Sequence, residues 1–302
     1  MTNSNNFGIV ISFFGLWITT YFSIEYQQTI GFIIIFLFGI LHGSNDLLLI
    51  SKINQRETTS IGKKILLYYI IFVFFGIVLF YSLPKIALLL FLIVSAYHFG
   101  EQHWNILNKE ETSKTIIGFQ TTYGLFILSL LFNFHQEEVR KIIGQIINAP
   151  ITSVNFTYCL IFVGVLLFLN GFLLVRKNPS FSKEIMVNIV YLILFGIIFR
   201  NANLIWAFAI YFIVWHSLPS IKEQICFLYG NYSIKNFVRY FKAAFVYWFL
   251  SLIGILFLYL LFKDQEIFKA LFFSFLAAIT FPHALVIMKM QNINKNNSED
   301  IK

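Results

Sequence analysis

The sequence contains little charge. Only 12% of its 302 residues are Asp, Glu, Lys or Arg, whereas 58% are hydrophobic and the mean hydropathy is +0.76. A water-soluble chain of this length needs far more polar surface to cover its core. The low charge therefore excludes a soluble globular protein and predicts an integral membrane protein.

Cysteine, proline and glycine are also sparse, with 2, 5 and 16 residues respectively. Cys159 and Cys226 lie in or beside apolar runs without CxxC spacing, so neither a disulfide framework nor a thiolate metal site is indicated. The apolar runs reach about 20 residues and lack the alternating pattern of barrel strands. These absences predict an all-α fold of membrane-spanning helices.

Common catalytic motifs are missing as well. The chain has no GxxxxGK[ST] loop, no GxGxxG turn and no GxSxG elbow, which argues against nucleotide-driven or serine chemistry. The segment from His98 to His103 is one residue too long for the zinc-protease motif HExxH or its inverted form. A bound metal ion is then the simplest remaining reagent.

Apolar runs between polar breaks predict about ten transmembrane helices. They are expected near residues 7–22, 30–51, 65–83, 85–107, 116–134, 154–175, 184–200, 203–229, 238–262 and 269–290. The segment from Gln136 to Ile147 is expected to lie along the membrane surface. We predict one membrane-embedded domain over residues 1–302, with polar, disordered tails at 1–6 and 291–302.

The positive charges are distributed unevenly over the loops of this topology. One side collects 16 of the 22 Lys and Arg residues and the other side 6. Adding or removing one span in the middle would exchange every later loop and erase the difference. The asymmetry predicts a multi-pass protein of the inner (plasma) membrane with both termini in the cytoplasm.

Four of the six histidines lie inside predicted spans that run in the same direction. They are His42, His98, His216 and His283. Each is 12 to 14 residues from the estimated outer end of its span, or roughly 18 to 21 Å. Imidazoles at one depth can converge on a single metal ion, with iron, copper and zinc all suited to neutral nitrogen ligands. The alternative is a separate interhelical hydrogen bond for each ring.

The two other histidines are less clear candidates. His103 follows His98 by five residues, which places it about 140° around the helix and leaves open whether it faces the same site. His135 lies at an outer boundary beside Gln136 and is expected to be solvated. We therefore keep His103 as a possible ligand and exclude His135.

Carboxylates and aromatic rings near these histidines are candidate catalytic residues. Asp46 follows His42 by one helical turn and Glu101 follows His98 by three residues, so either carboxylate could orient an imidazole. Their alternative is an ordinary interhelical ion pair or hydrogen bond. Tyr97 and Trp215 adjoin predicted ligands and could present ring faces to a flat apolar substrate, although 38 phenylalanines make neighbouring rings common.

Four short motifs occur in order along the chain. They are LHGSND at 41–46, YHFGEQHW at 97–104, WHSLP at 215–219 and FPH at 281–283. Together they resemble the Brp/Blh family of β-carotene 15,15′-dioxygenases. The resemblance extends from the second predicted span to the last.

The resemblance implies that dioxygen cleaves β-carotene centrally at a non-haem iron(II), giving two molecules of retinal, which commonly supply a microbial rhodopsin. It implies that His42, His98 and His216 bind iron and that Asp46 is the acidic residue of an HGxxD motif. Many members are expected to carry a further histidine one turn after His216, where this chain has Ser220. The fourth ligand is then His283, favoured by its depth, or His103.

Two other classes of function fit some of these features. Buried histidines together with Asp46 could form the proton or metal path of a transporter or channel. The aromatic surroundings would also suffice for a protein that binds a carotenoid or retinal without converting it. For the dioxygenase, β-carotene dissolved in the lipid bilayer would reach the site without crossing water.

Overall fold

The computed structural model describes residues 3–53, 59–104, 114–177, 179–262 and 268–299. Over these ranges the secondary structure is helical, without strands, which confirms the all-α class. The α-helices are α1 Asn3–Ile18, α2 Ile24–Gly43, α3 Asp46–Ile53, α4 Thr59–Ser82, α5 Pro84–His103, α6 Lys114–Phe134, α7 Gln136–Ile147, α8 Phe156–Lys177, α9 Ser182–Asn201, α10 Leu204–Ile210, α11 Leu218–Tyr229, α12 Ile234–Phe262 and α13 Phe268–Glu299. A 3₁₀ turn, Pro179–Phe181, precedes α9, and a π-helical segment, Tyr211–Ser217, joins α10 to α11.

Eight helical stretches in the described part of the chain are long and apolar enough to cross a membrane. Two further apolar helical stretches, Phe7–Ile18 within α1 and Leu67–Ser82 within α4, are 10–17 residues long over the residues described. The apolar helices identify a membrane protein, while the predicted number of about ten spans and their orientation stay predictions.

Two predicted spans contain irregular backbone at a histidine motif. The expected span 30–51 is divided between α2 and α3, because the helix stops at Gly43 and restarts at Asp46. The Ser44 hydroxyl donates to the Ile40 carbonyl over 2.6 Å, a local hydrogen bond that competes with regular helix geometry. The expected span 203–229 contains the π-helical segment, in which His216 lies. Irregularity thus coincides with two of the four candidate ligands.

Helix ends differ from the sequence expectation at both tails. α1 begins at Asn3 and α13 continues to Glu299, so helices extend into the ranges 1–6 and 291–302 that were expected to be disordered. Backbone hydrogen bonds of a helix are internal, and polar residues can therefore continue it beyond its apolar stretch. α7 coincides with the predicted surface segment and is amphipathic, with Val139 and Ile142 buried and Lys141 exposed.

The chain divides into two compact units whose segments alternate along the sequence. The first unit comprises Met1–Ile35, Ser95–Lys141 and Ile151–Ser217, and the second comprises Phe36–Val94, Ile142–Pro150 and Leu218–Lys302. The sequence predicted one domain, since no linker or change of composition marks the boundaries. Each unit contains two of the four candidate histidines.

In the first unit, α5 and α6 approach each other backbone to backbone. A Cβ atom on Gly100 would overlap the carbonyl of Gln120, and one on Gly124 would overlap the carbonyl of Ala96. Glycine is therefore required at both positions for this close packing. The contact fixes the part of α5 that carries His98, and α6 packs in turn against α8 and α9.

In the second unit, α13 packs against α3 and α4. A Cβ atom on Gly76 of α4 would lie 3.4 Å from the Cα atom of Ala278 in α13, so these two helices also pack closely. Pro282 lies inside α13 and removes one backbone donor from the helix immediately before His283. α11 packs against α3 and α12.

Candidate metal centre

The second unit holds one pair of histidines, His42 at the end of α2 and His283 in α13. Their ring centroids are 4.6 Å apart and the rings meet edge to face at 85°. Both residues are buried. Two imidazoles buried in contact inside apolar helices are functional candidates by default, because their nitrogens can bind a ligand.

Asp46 orients His283. Its Oδ1 atom lies 2.8 Å from the Nδ1 atom of His283, and its Oδ2 atom accepts a 2.9 Å hydrogen bond from the Tyr69 hydroxyl. A carboxylate at Nδ1 favours the tautomer whose Nε2 lone pair is available to a metal, as in many metal sites. Asp46 therefore contacts the imidazole of α13, and its catalytic role stays a prediction.

A buried hydrogen-bond network supports the backbone at His42. Gln224 of α11 donates to the His42 carbonyl over 2.8 Å and accepts from the Tyr240 hydroxyl over 2.8 Å. The Asn45 side chain donates to the Tyr240 carbonyl over 3.0 Å. These contacts satisfy polar groups at the break between α2 and α3, and they hold His42 in place. Sequence reasoning missed Gln224 and Tyr240, although a glutamine in an apolar helix is itself a signal.

The first unit holds the second pair, His98 of α5 and His216 of the π-helical segment. Their ring centroids are 4.7 Å apart with an interplanar angle of 83°, and both residues are 2% exposed. Phe99 and Phe212 pack against the His216 ring with centroid distances of 4.7 and 5.3 Å. The Gln102 side chain donates to the His216 carbonyl over 2.9 Å. π-helical turns occur frequently at functional sites, where they re-aim side chains.

Tyr97 and Glu101 form a contact of their own on α5. The Tyr97 hydroxyl donates to Glu101 Oε1 over 3.0 Å, and Glu101 is 1% exposed. A carboxylate this deeply buried in an apolar helix requires hydrogen-bond donors. The expectation that Glu101 orients an imidazole stays a prediction.

His103 and Trp215 lie in an aromatic cluster of the first unit. The His103 ring is nearly parallel to the rings of Tyr211 and Trp215, with centroid distances of 6.0 and 6.3 Å. Its Nε2 atom lies 3.5 Å from the Tyr211 hydroxyl. The Trp215 indole donates to Ser12 over 2.8 Å. Both side chains thus have protein partners in this cluster.

His135 is the histidine that the sequence analysis excluded from the site. Its two ring nitrogens are each 2.9 Å from a backbone carbonyl oxygen, one of Leu131 and the other of Ala202. These contacts tie the end of α6 to the start of the α10 region. His135 is therefore a suitable control for the other histidines.

The donor set fits a first-row transition metal. In each unit, buried histidines offer ring nitrogens that could bind a metal ion. Imidazole nitrogen without thiolate suits iron, copper and zinc. The carboxylate on His283 Nδ1 is the usual outer partner of a metal-binding histidine.

A family model described as Beta-carotene 15,15'-dioxygenase matches residues 33–291. The chain belongs to this family. The match confirms the resemblance carried by the four motifs and includes all four candidate histidines. No curated protein and no solved structure matches the chain. Membership of the β-carotene 15,15′-dioxygenase family supports a β-carotene dioxygenase-like function and therefore an oxidoreductase.

The first unit also contains an apolar groove of about 440 Å³ among α6, α8 and α9. Its wall includes Trp104, Phe119, Phe172 and two polar residues, Tyr123 and Asn188, which hydrogen-bond to each other over 3.3 Å. None of the four candidate histidines lines it. The groove is thus separate from the candidate ligands of this dioxygenase family member.

Proposed function

We propose that this protein is a non-haem iron(II) dioxygenase that cleaves β-carotene at its central 15,15′ double bond with O₂ to give two molecules of all-trans-retinal. One observation carries the proposal: a chain of the β-carotene 15,15′-dioxygenase family buries two edge-to-face histidine pairs, one in each unit. Buried pairs of neutral nitrogen donors are what an iron site inside a membrane protein requires.

The proposed iron ligands are His42, His98, His216 and His283. All four are buried and have the same predicted depth in their spans. The choice of His283 over His103 is supported by the Asp46 carboxylate on its Nδ1 atom. His103 instead has ring contacts with Tyr211 and Trp215. With His283 as the fourth ligand, the site does not need the histidine that many family members are expected to have at the position of Ser220.

Iron(II), if held by these imidazoles, would supply the activation of dioxygen. One oxygen atom ends in each retinal aldehyde, so the cleavage needs no additional reductant. The protein's own contribution is to hold the imidazoles, with Asp46 keeping His283 in the metal-binding tautomer. We propose that Tyr97, Glu101 and Trp215 shape the surroundings of the reacting double bond.

The apolar helices suit the proposed substrate. β-Carotene is a hydrocarbon that dissolves in the lipid bilayer, and it would meet a chain with many exposed apolar side chains. We propose a location in the plasma membrane with both termini in the cytoplasm, from the distribution of positive charge. The retinal formed would be available to a microbial rhodopsin.

The test is to purify the full chain in detergent, measure bound iron, and follow the conversion of β-carotene to retinal under air by chromatography. We expect bound iron and two retinals for each β-carotene consumed. His98→Ala should lose iron and activity, whereas His135→Ala should keep both because His135 contacts only backbone carbonyls in the described structure. Full iron content and full retinal formation in His98→Ala would refute the proposal.

The same preparation distinguishes the other two classes of function. A protein that carries β-carotene unchanged under air, with iron present, would be a binding protein. Ion flux in reconstituted vesicles without bound iron would indicate a transporter or channel. Either outcome would replace the dioxygenase proposal.

A further inference from the structure

α1 presents two different faces. Large apolar side chains such as Phe7, Val10 and Phe14 are exposed on one side. The opposite side carries small residues that face α10 and the π-helical segment. A Cβ atom on Gly8 would lie 3.4 Å from the Trp215 ring, and one on Gly15 would lie 3.2 Å from the Ile210 side chain. The small face therefore lets α1 pack closely against the segment that carries His216.

A buried hydrogen bond lies in the middle of this contact. The Trp215 Nε1 atom donates to the Ser12 hydroxyl over 2.8 Å, and Ser12 has no exposed surface (0%). An indole N–H inside an apolar environment requires an acceptor. Ser12 supplies it, and so the hydrogen bond selects one orientation of the indole.

Other rings hold the same indole on its remaining sides. The Trp215 centroid lies 4.8 Å from that of Tyr191, 5.2 Å from that of Phe195 and 6.3 Å from that of His103. Trp215 directly precedes His216 within one π-helical segment. Because the shared backbone fixes the angle between the two Cα–Cβ bonds, an anchored indole restrains the backbone from which the His216 imidazole projects.

We propose that α1 positions His216 through the hydrogen bond between Ser12 and Trp215, which makes Ser12 and Trp215 positioning residues of the metal centre. The family match begins at residue 33, after α1, so this contribution comes from outside the matched part of the chain. The inference rests on the proposed function, because it assumes that His216 is a metal ligand.

The chain offers a matched control. The Trp206 indole donates to the Gly15 carbonyl over 3.0 Å, and it therefore also anchors α1. Trp206 lies in α10, ten residues before His216 and outside the π-helical segment. Trp206→Phe removes an indole hydrogen bond to α1 without affecting the residue next to His216. A merely structural role of α1 would make the Trp206 and Ser12 variants equivalent.

The test uses the full chain, freed of iron and titrated with Co²⁺, whose visible absorption reports the number and geometry of its ligands. Ser12→Ala should lower Co²⁺ affinity several-fold, up to about tenfold, and change the spectrum, because the backbone that carries His216 loses its anchor; the effect stays at or below that of losing a direct partner of a ligand. Ser12→Thr, which keeps the hydroxyl, should restore most of the affinity. The Co²⁺ affinity of Trp206→Phe should stay within about twofold of the wild type, because the Trp206 indole bonds to α1 from a residue that is not adjacent to His216.

Folding is checked by size-exclusion chromatography and thermal unfolding of each variant. If Ser12→Ala is poorly folded, Ser12→Thr and Trp206→Phe still test the inference. A positioning role requires Ser12→Thr to keep the wild-type Co²⁺ spectrum and Trp206→Phe to keep nearly the wild-type affinity. Equal Co²⁺ affinity and spectra for Ser12→Ala and wild type would overturn the inference, as would equal losses in Ser12→Ala and Trp206→Phe. A wild-type chain that binds no Co²⁺ and no iron would overturn the proposed metal centre itself, which is a separate and recognisable result.

Discussion

The two histidine pairs have similar ring geometry but different support. His42 and His283 are held by hydrogen bonds, with Asp46 on the His283 ring and Gln224 on the His42 carbonyl. This pair depends on a buried carboxylate, whose negative charge would also stabilise a bound cation.

The pair in the first unit depends mainly on packing. His216 lies against Phe99 and Phe212, and its backbone carbonyl accepts from Gln102. Ring packing fixes the plane of an imidazole, whereas a carboxylate selects which nitrogen carries the proton. Electrostatic support and steric support can therefore hold the same kind of side chain in one protein. We expect substitution of polar neighbours to affect the pair of the second unit more, and substitution of ring neighbours to affect the pair of the first unit more.

The largest expected effect comes from removing one ligand of each pair. His42→Ala and His216→Ala should each lower retinal formation by more than about 100-fold, because loss of a ligand exceeds the 10–100-fold effect of an outer partner. The measurement is retinal formed by iron-loaded enzyme, with His135→Ala as the control. A variant of either pair with near wild-type activity would show that the two pairs are not equivalent.

The second-largest effect is expected from neutralising the Asp46 carboxylate, which should weaken metal binding. Asp46→Asn keeps the size of the side chain but removes the charge, so we expect iron affinity to fall about 10–100-fold. Tyr69→Phe removes a donor to the same carboxylate and should cost less than about tenfold. Competition with a chelator measures both affinities. The electrostatic account of this pair fails if Asp46→Asn binds iron as tightly as wild type.

Two glutamines allow a direct comparison of backbone support. Gln224 is fully buried, and Gln224→Leu would remove the side-chain donor to the His42 carbonyl and one of the two acceptors of the Tyr240 hydroxyl, at about 1–3 kcal/mol of unfolding free energy. Gln102→Leu removes one hydrogen bond to the His216 carbonyl and should cost only about 0.5–1.5 kcal/mol. Denaturant unfolding of the two variants in detergent measures the difference. The reverse order of stabilities would contradict the assignment of hydrogen-bonded support to the second unit.

The smallest expected effect concerns a single ring. Phe212→Leu keeps an apolar side chain but removes the ring stacked on His216, a contact worth about 0.5–1.5 kcal/mol. We expect a loss of several-fold in retinal formation with iron content unchanged. Phe249→Leu, which removes the ring stacked on Phe245 in α12, is the control and should have little effect. Loss of iron in Phe212→Leu would mean that packing has a larger role than this account allows.

Composition and hydropathy were sufficient to predict the all-α membrane fold, because lipid leaves few alternatives to helices. The burial of His42, His98, His216 and His283 also followed from their positions inside apolar runs. Helical periodicity did not predict the partner of Asp46, since the helix stops at Gly43 and the angular count from His42 ends there.

Other features left little trace in the sequence. Gln224 and Tyr240 belong to no motif, and their hydrogen bonds join positions far apart in the chain. The π-helical segment has no periodicity that distinguishes it from an α-helix over seven residues. The two units consist of alternating segments, and no local composition marks where one ends.

The central claim is that the buried histidines are iron ligands. The most direct measurement is the iron content of the purified chain, combined with X-ray absorption spectroscopy to count imidazole ligands, for wild type, His42→Ala and His98→Ala. The account predicts one iron per wild-type chain with imidazole ligands, and loss of that iron in both variants. Iron retained with an unchanged ligand count after either substitution would contradict it.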